Sequence, residues 1–243
     1  MKTVFILLTA TLITTSGFSQ TDTVFYSEKW EKTDASSARF YRTIDQKDSL
    51  FIVNDFDISN NHLMRGTYIS MNPEIENGDF IFYYPNGRVQ AEGSFYNGKM
   101  TSIWKYYNKK GKISKKLDYS VIMISNSDLI YPDVNDKNDD EPFFVEDMPQ
   151  FQNGTNTKFT EYLYANFNMP IIPEKYGITG RFFIQLWVDK KGRMVNTEIK
   201  LSLHPHIDCE INRIIANAPD WKPGTHNGEL IAVFFTFPFD INK

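Results

Sequence analysis

The chain has 243 residues, enough for one or two domains with hydrophobic cores of their own. Its formal net charge of -4 leaves no basic footprint for nucleic acid, and a single cysteine, Cys209, excludes an internal disulfide and a cysteine-built zinc site. Aromatic residues make up 15% of the chain, led by phenylalanine and tyrosine, which favours packed sheets over coiled coil or disorder.

Residues 1–19 read as a secretory signal. Lys2 supplies the positive region, residues 4–13 are apolar, and Ser16-Gly17-Phe18-Ser19 offers small residues before a mature start at Gln20. The apolar core is too short to span a bilayer comfortably, and no cysteine stands nearby for a lipid anchor. The expectation is an exported protein of the periplasm or cell envelope. Retention of this segment as an inner-membrane anchor is the alternative.

Residues 22–120 alternate short aromatic runs with glycine turns. Phe80, Phe82 and Tyr84 alternate before Asn86-Gly87, and Trp104 and Tyr106 alternate before Lys110-Gly111. An Asn-Gly pair between alternating aromatics is a strong hairpin signal. Tyr83-Tyr84 and Tyr106-Tyr107 lie 23 residues apart, Gly87 and Gly111 lie 24 apart, and Gly66-Thr67-Tyr68 is echoed by Gly93-Ser94-Phe95. Periods of this size predict stacked hairpins. Over residues 66–112 the pattern resembles MORN-like repeats, and it weakens back to residue 40, where the glycines are missing. The resemblance implies an all-β hairpin array that scaffolds its neighbour or binds a surface.

Residues 121–147 hold an acidic stretch. With Asp133 as a first calcium ligand, Lys137 and Asn138 would occupy the fifth and sixth positions of an EF-hand loop, which need an oxygen ligand and glycine. The stretch therefore reads as a solvated linker.

Residues 148–243 mix helical and strand periods. Phe159, Tyr162, Leu163 and Phe167 share a helix face, which Pro170 and Pro173 close. Phe182, Ile184, Leu186 and Val188 alternate along a strand. Asp189 to Gly192 turns it back, and Val195, Thr197, Ile199 and Leu201 alternate along the return. Ile207, Ile211, Ile214, Ile215 and Ala218 form a second helical stripe, ended by Pro219. A last strand is predicted over residues 230–237. The order helix, strand, strand, helix, strand predicts an α+β domain with a three-stranded antiparallel sheet.

These residues resemble the TonB C-terminal domain family. The matching motifs are Met148-Pro149-Gln150-Phe151, Tyr176-Gly177-Ile178-Thr179-Gly180, Val188-Asp189 with Gly192-Arg193, and His204-Pro205 with Glu210 and Arg213. The corner formed by Trp221, Pro223, Gly224, Asn227 and Gly228 completes the set. The resemblance implies an envelope interaction module that binds a partner, such as an outer-membrane receptor segment, by strand addition. Its partner-binding edge would be Ile231, Ala232, Val233, Phe234, Phe235 and Thr236, an edge that can equally serve a homodimer. The family's energy transducers carry a retained anchor and a proline-rich spacer. Here proline is scattered, so the transducer reading requires an uncleaved N-terminus. A structural or surface-binding role led by the repeats is the other alternative.

Catalytic chemistry is not expected. His204 and His206 lack carboxylates at metal spacing and read as surface or capping residues, His226 as a solvated turn residue, and Glu210 with Arg213 as a local ion pair. No hydrolase elbow, phosphate loop or dinucleotide fingerprint occurs. No cofactor, nucleic acid or small-molecule substrate is anticipated.

Overall fold

A computed structural model describes residues 21–120, 145–152, 154 and 156–242. Residues 1–19, read above as a signal, and most of the acidic stretch lie outside the described residues. The fold is mostly β, with a few helices near the C-terminus, an α+β arrangement.

The alternating aromatics of the first region build one nine-stranded antiparallel sheet. Its strands are β1 (Thr21–Tyr26), β2 (Phe40–Lys47), β3 (Leu50–Asp57), β4 (His62–Met71), β5 (Glu74–Glu76), β6 (Gly78–Tyr83), β7 (Val89–Tyr96), β8 (Lys99–Tyr107) and β9 (Ile113–Asp118). Nearly every strand pairs with its sequence neighbour, and β5 pairs at the side with β4. The sheet runs on through β2 and β3, where the repeat glycines are missing.

One turn recurs at residues 27–31, 57–61, 84–88 and 108–112. In each, the first amide donates to the fifth carbonyl and the fourth amide donates back to the first. The fourth residue must take positive φ, and there stand Asn60, Gly87 and Gly111, the residue types that reach this region most cheaply. At residues 27–31 the fourth residue is Trp30, at φ 59°, a bulky side chain in a conformation it rarely adopts. The repeated glycines of β4 and β7 have another cause. A Cβ on Gly66 would lie 2.2 Å from the Phe80 ring, and one on Gly93 would lie 2.2 Å from the Trp104 ring. Each glycine is the floor on which a neighbouring strand lays an aromatic ring.

The second region contains β10 (Gln150–Phe151), α1 (Asn156–Asn166), α2 (Ile171–Lys175), β11 (Gly180–Val188), β12 (Met194–Leu201), α3 (Pro205–Ala216), β13 (Trp221–Lys222), β14 (Gly224–His226), β15 (Glu229–Ile231) and β16 (Val233–Ile241). β11 lies between β12 and β16 in a three-stranded antiparallel sheet. Phe182, Ile184, Leu186 and Val188 join Phe237, Phe239 and Ile241 on its buried face. Against them pack Phe159 and Leu163 of α1 and the isoleucine stripe of α3.

α3 also has a second buried face. Cys209 belongs to the core of the nine-stranded sheet, with Trp104, Phe95 and Met100, and Ile171 and Ile172 of α2 pack on the same core. The helical layer is thus held between two sheets. This corrects the surface assignment of His206. The residue is 2% exposed, and its ring sits 4.6 Å from that of Phe95. The reason is that α3 faces a sheet on its polar side as well.

Candidate functional site

The proposed partner edge divides in the structure. Ile231 belongs to β15 and pairs with Gly224, Ala232 links the strands, and Val233, Phe234, Phe235 and Thr236 begin β16. The predicted continuous strand over residues 230–237 is therefore corrected. Asn227 and Gly228, at φ 51° and 76°, make a tight hairpin that takes up Glu229–Ile231 before β16 starts, and β16 runs on to Ile241.

The corner residues bind this arrangement to the core. Trp221 is 3% exposed, its ring lies 4.9 Å from Phe159 and 5.6 Å from Phe235, and its amide donates to the Gly192 carbonyl at 2.7 Å. Phe151 pairs with it across β10 and β13. Gly224 is a close approach, since a Cβ there would lie 2.6 Å from Val233 Cγ2. Pro223 precedes it, half-buried. The N-terminal side of this corner is tied as well, because Thr225 Oγ1 donates to Asp147 Oδ2 at 2.9 Å.

β16 pairs with β11 on one side and has no strand partner on the other among the described residues. Which of its groups face outward follows from Pro238, which stands opposite Phe183 in the ladder. Proline has no N–H, so this pair is one whose backbone groups point away from each other. Outward groups therefore belong to Phe234, Thr236, Pro238 and Asp240. Tyr164 agrees with this parity: its hydroxyl donates to the Asp240 carbonyl at 2.8 Å and caps that end of the edge. The open stretch is Phe234 to Pro238. Beside it, Phe234 is half exposed and its ring lies 5.6 Å from that of Trp187.

A second constellation, which the sequence did not bring together, lies where α2 and α3 meet the nine-stranded sheet. Asp55 of β3 is fully buried. It accepts from Arg42 Nε at 2.7 Å, Arg42 Nη2 at 3.0 Å and Lys175 Nζ at 2.9 Å. Arg42 Nη1 also donates to Glu74 Oε1 at 2.8 Å. Burial works against the Asp55 charge, but the Arg42 bonds and the Lys175 charge outweigh it and hold the carboxyl below its usual range. Burial pushes Lys175 down to about 8 against the pull of Asp55. The Lys175 ammonium also lies 3.1 Å from the centre of the Trp30 ring, a cation–π contact. The unusual backbone of Trp30 thus presents its ring to a helix of the other region.

Two further links follow the same seam. Glu210 of α3, fully buried, accepts from Tyr119 Oη at 2.7 Å, Arg213 Nε at 2.8 Å and the Asn168 amide at 2.8 Å. The local ion pair is present, then, as part of a network reaching the end of the large sheet. His204 accepts at Nδ1 from the His206 amide, capping α3, and His206 Nε2 lies 3.4 Å from Glu76 Oε1. His226, half-buried, contacts Asn227 in the hairpin turn.

A scan against protein-family models finds no match to this chain, and searches of curated proteins and of solved structures likewise return none. No helix among the described residues is long and apolar enough to cross a membrane.

Proposed function

We propose that this chain is a non-catalytic interaction protein of the cell envelope that captures an extended partner segment by strand addition at the β16 edge. The observation that carries the reading is the open row of backbone groups from Phe234 to Pro238, beside the exposed Phe234 ring and its partly buried neighbour Trp187. Backbone groups there give affinity with little demand on partner sequence, and the aromatic pair selects an apolar side chain at alternate positions. The ordered motifs similar to the TonB C-terminal domain, from Met148 to Gly228, support the same reading and point to an outer-membrane protein segment as the partner. Periplasmic location rests on residues 1–19, and an exported chain whose mass starts at Gln20 would support it.

The test places a photo-crosslinking residue at Thr236 and irradiates the full chain in envelope fractions. A discrete adduct is expected, and it should be lost in Phe234→Pro, which deletes an outward donor without touching the β11 ladder. An adduct that survives this change rules the edge out. A crosslink to a second copy of the chain instead identifies the homodimer.

A further inference from the structure

We propose that the cavity between the nine-stranded sheet and the α2–α3 layer is a binding site for a small organic cation, an amine or guanidine of about benzene size. The cavity measures about 160 Å³. An apolar protein cavity of about 150 Å³ is known to hold benzene. Its mouth is marked by Glu74, whose side chain is 42% exposed, and by Tyr176, which is 41% exposed.

The charge of the wall decides the class of ligand. Asp55, Glu74 and Glu76 face Arg42 and Lys175, which leaves negative charge in excess. His204 adds none, because burial and the neighbouring His206 push it down to about 4. Both cations are already committed, Arg42 to Asp55 and Glu74, Lys175 to Asp55 and the Trp30 ring. An anion would meet cations already neutralised by carboxylates, in a wall where negative charge is in excess. A cation would find the second oxygen of Glu74, the ionised Glu76 and the flanking faces of Phe82 and Tyr176.

Tyr68 supplies a further polar group of the wall. The residue is 2% exposed, lines the cavity, and has no hydrogen-bond partner for its hydroxyl among the described residues. Arg42, Glu74, Glu76 and Asp55, whose charges act on that hydroxyl, all belong to the cavity wall. An ammonium or guanidinium held in the cavity could donate to this oxygen. Sequence reading does not anticipate the site, because its residues are scattered between positions 42 and 204.

The experiment is isothermal titration calorimetry of the full chain at neutral pH with n-butylammonium and n-butylguanidinium, against 1-butanol and butyrate as neutral and anionic partners of matched size. Binding of at least one of the two cations at one equivalent is expected, with no heat from the other two. Glu76→Gln should weaken it by about tenfold or more, the loss of one charge-assisted hydrogen bond. Tyr68→Phe, which removes only an unpartnered hydroxyl and should fold as the parent does, should weaken it several-fold. The proposal is overturned by silence from both cations up to about 10 mM, by equal binding of butyrate or butanol, or by unchanged cation binding in Tyr68→Phe.

Discussion

Asp55→Asn isolates what holds the large sheet to the helical layer. The change keeps the side chain's size and removes its charge. Asp55 is fully buried and accepts two bonds from Arg42 and one from Lys175, at 2.7, 3.0 and 2.9 Å. An amide offers one acceptor oxygen and sets its NH₂ against a donor. Arg42 keeps its charge at any working pH, so it is left buried with only Glu74 as an anionic partner. Breaking a buried ion pair from one side costs about 3–5 kcal/mol. Lys175 relieves part of this by losing its proton, because burial already holds it down to about 8 and Asp55 is what raises it. The expected loss is therefore near the lower figure, about 3 kcal/mol, or roughly 6–12 °C in Tm for a chain of this length. Urea and thermal unfolding at pH 7, followed by circular dichroism, measure it. Lys175→Met supplies the second arm. In the Asp55→Asn background it removes a buried amino group left without its carboxylate partner, so the double variant should be more stable than Asp55→Asn alone. A loss below about 1 kcal/mol for Asp55→Asn, or strictly additive effects of the two changes, would refute the buried-charge account of this seam.

Gly93→Ala should destabilise by about 1–3 kcal/mol through overpacking, since the new Cβ would lie 2.2 Å from a Trp104 ring that is itself 2% exposed. A shift in tryptophan emission should accompany the loss in a urea titration. His204→Asn tests the acid limb of stability. The His204 ring is held neutral down to about 4, whereas the unfolded chain takes the proton near 6.5. The unfolded state therefore binds more protons between those values, and stability falls as pH drops through that window. Asparagine retains the helix cap without the titrating ring, so Tm should fall less steeply between about pH 6.5 and 4 in the variant.

Much of the fold was legible because it rests on local rules. Alternation at Phe182 to Val188 and the stripe from Ile207 to Ile215 each report one buried face, and Asn86-Gly87 reports a turn. The extent of the last strand was less so. Asn227-Gly228 read as a corner, but a hairpin of three-residue arms carries too little periodicity to be seen in the sequence. The junction was not legible at all. His206, Glu210 and Arg213 look like a solvated helix face, and only the arrival of Tyr119, Glu76 and Phe95 from the sheet makes that face interior. Such burial depends on partners about 90 to 130 positions away, which no window on the sequence contains. A faint signal existed in Cys209, a small apolar residue standing alone among those polar neighbours.

The ladder of the nine-stranded sheet and the pairing of β16 differ in how far along the chain each contact must reach. In the sheet, nearly every strand closes on its immediate neighbour through a short turn, which costs little chain entropy and is fast. β16 meets β11 only after β12, α3 and the Trp221 corner have been laid between them. The open edge from Phe234 to Pro238 is therefore expected among the last features to form as the chain folds. A strand edge is a hazard to any unfolded chain nearby, and Pro238 with the Tyr164 cap already shortens this one. Its late arrival limits the hazard further, because the groups that would recruit a stray strand come into line only after the rest of the molecule has closed.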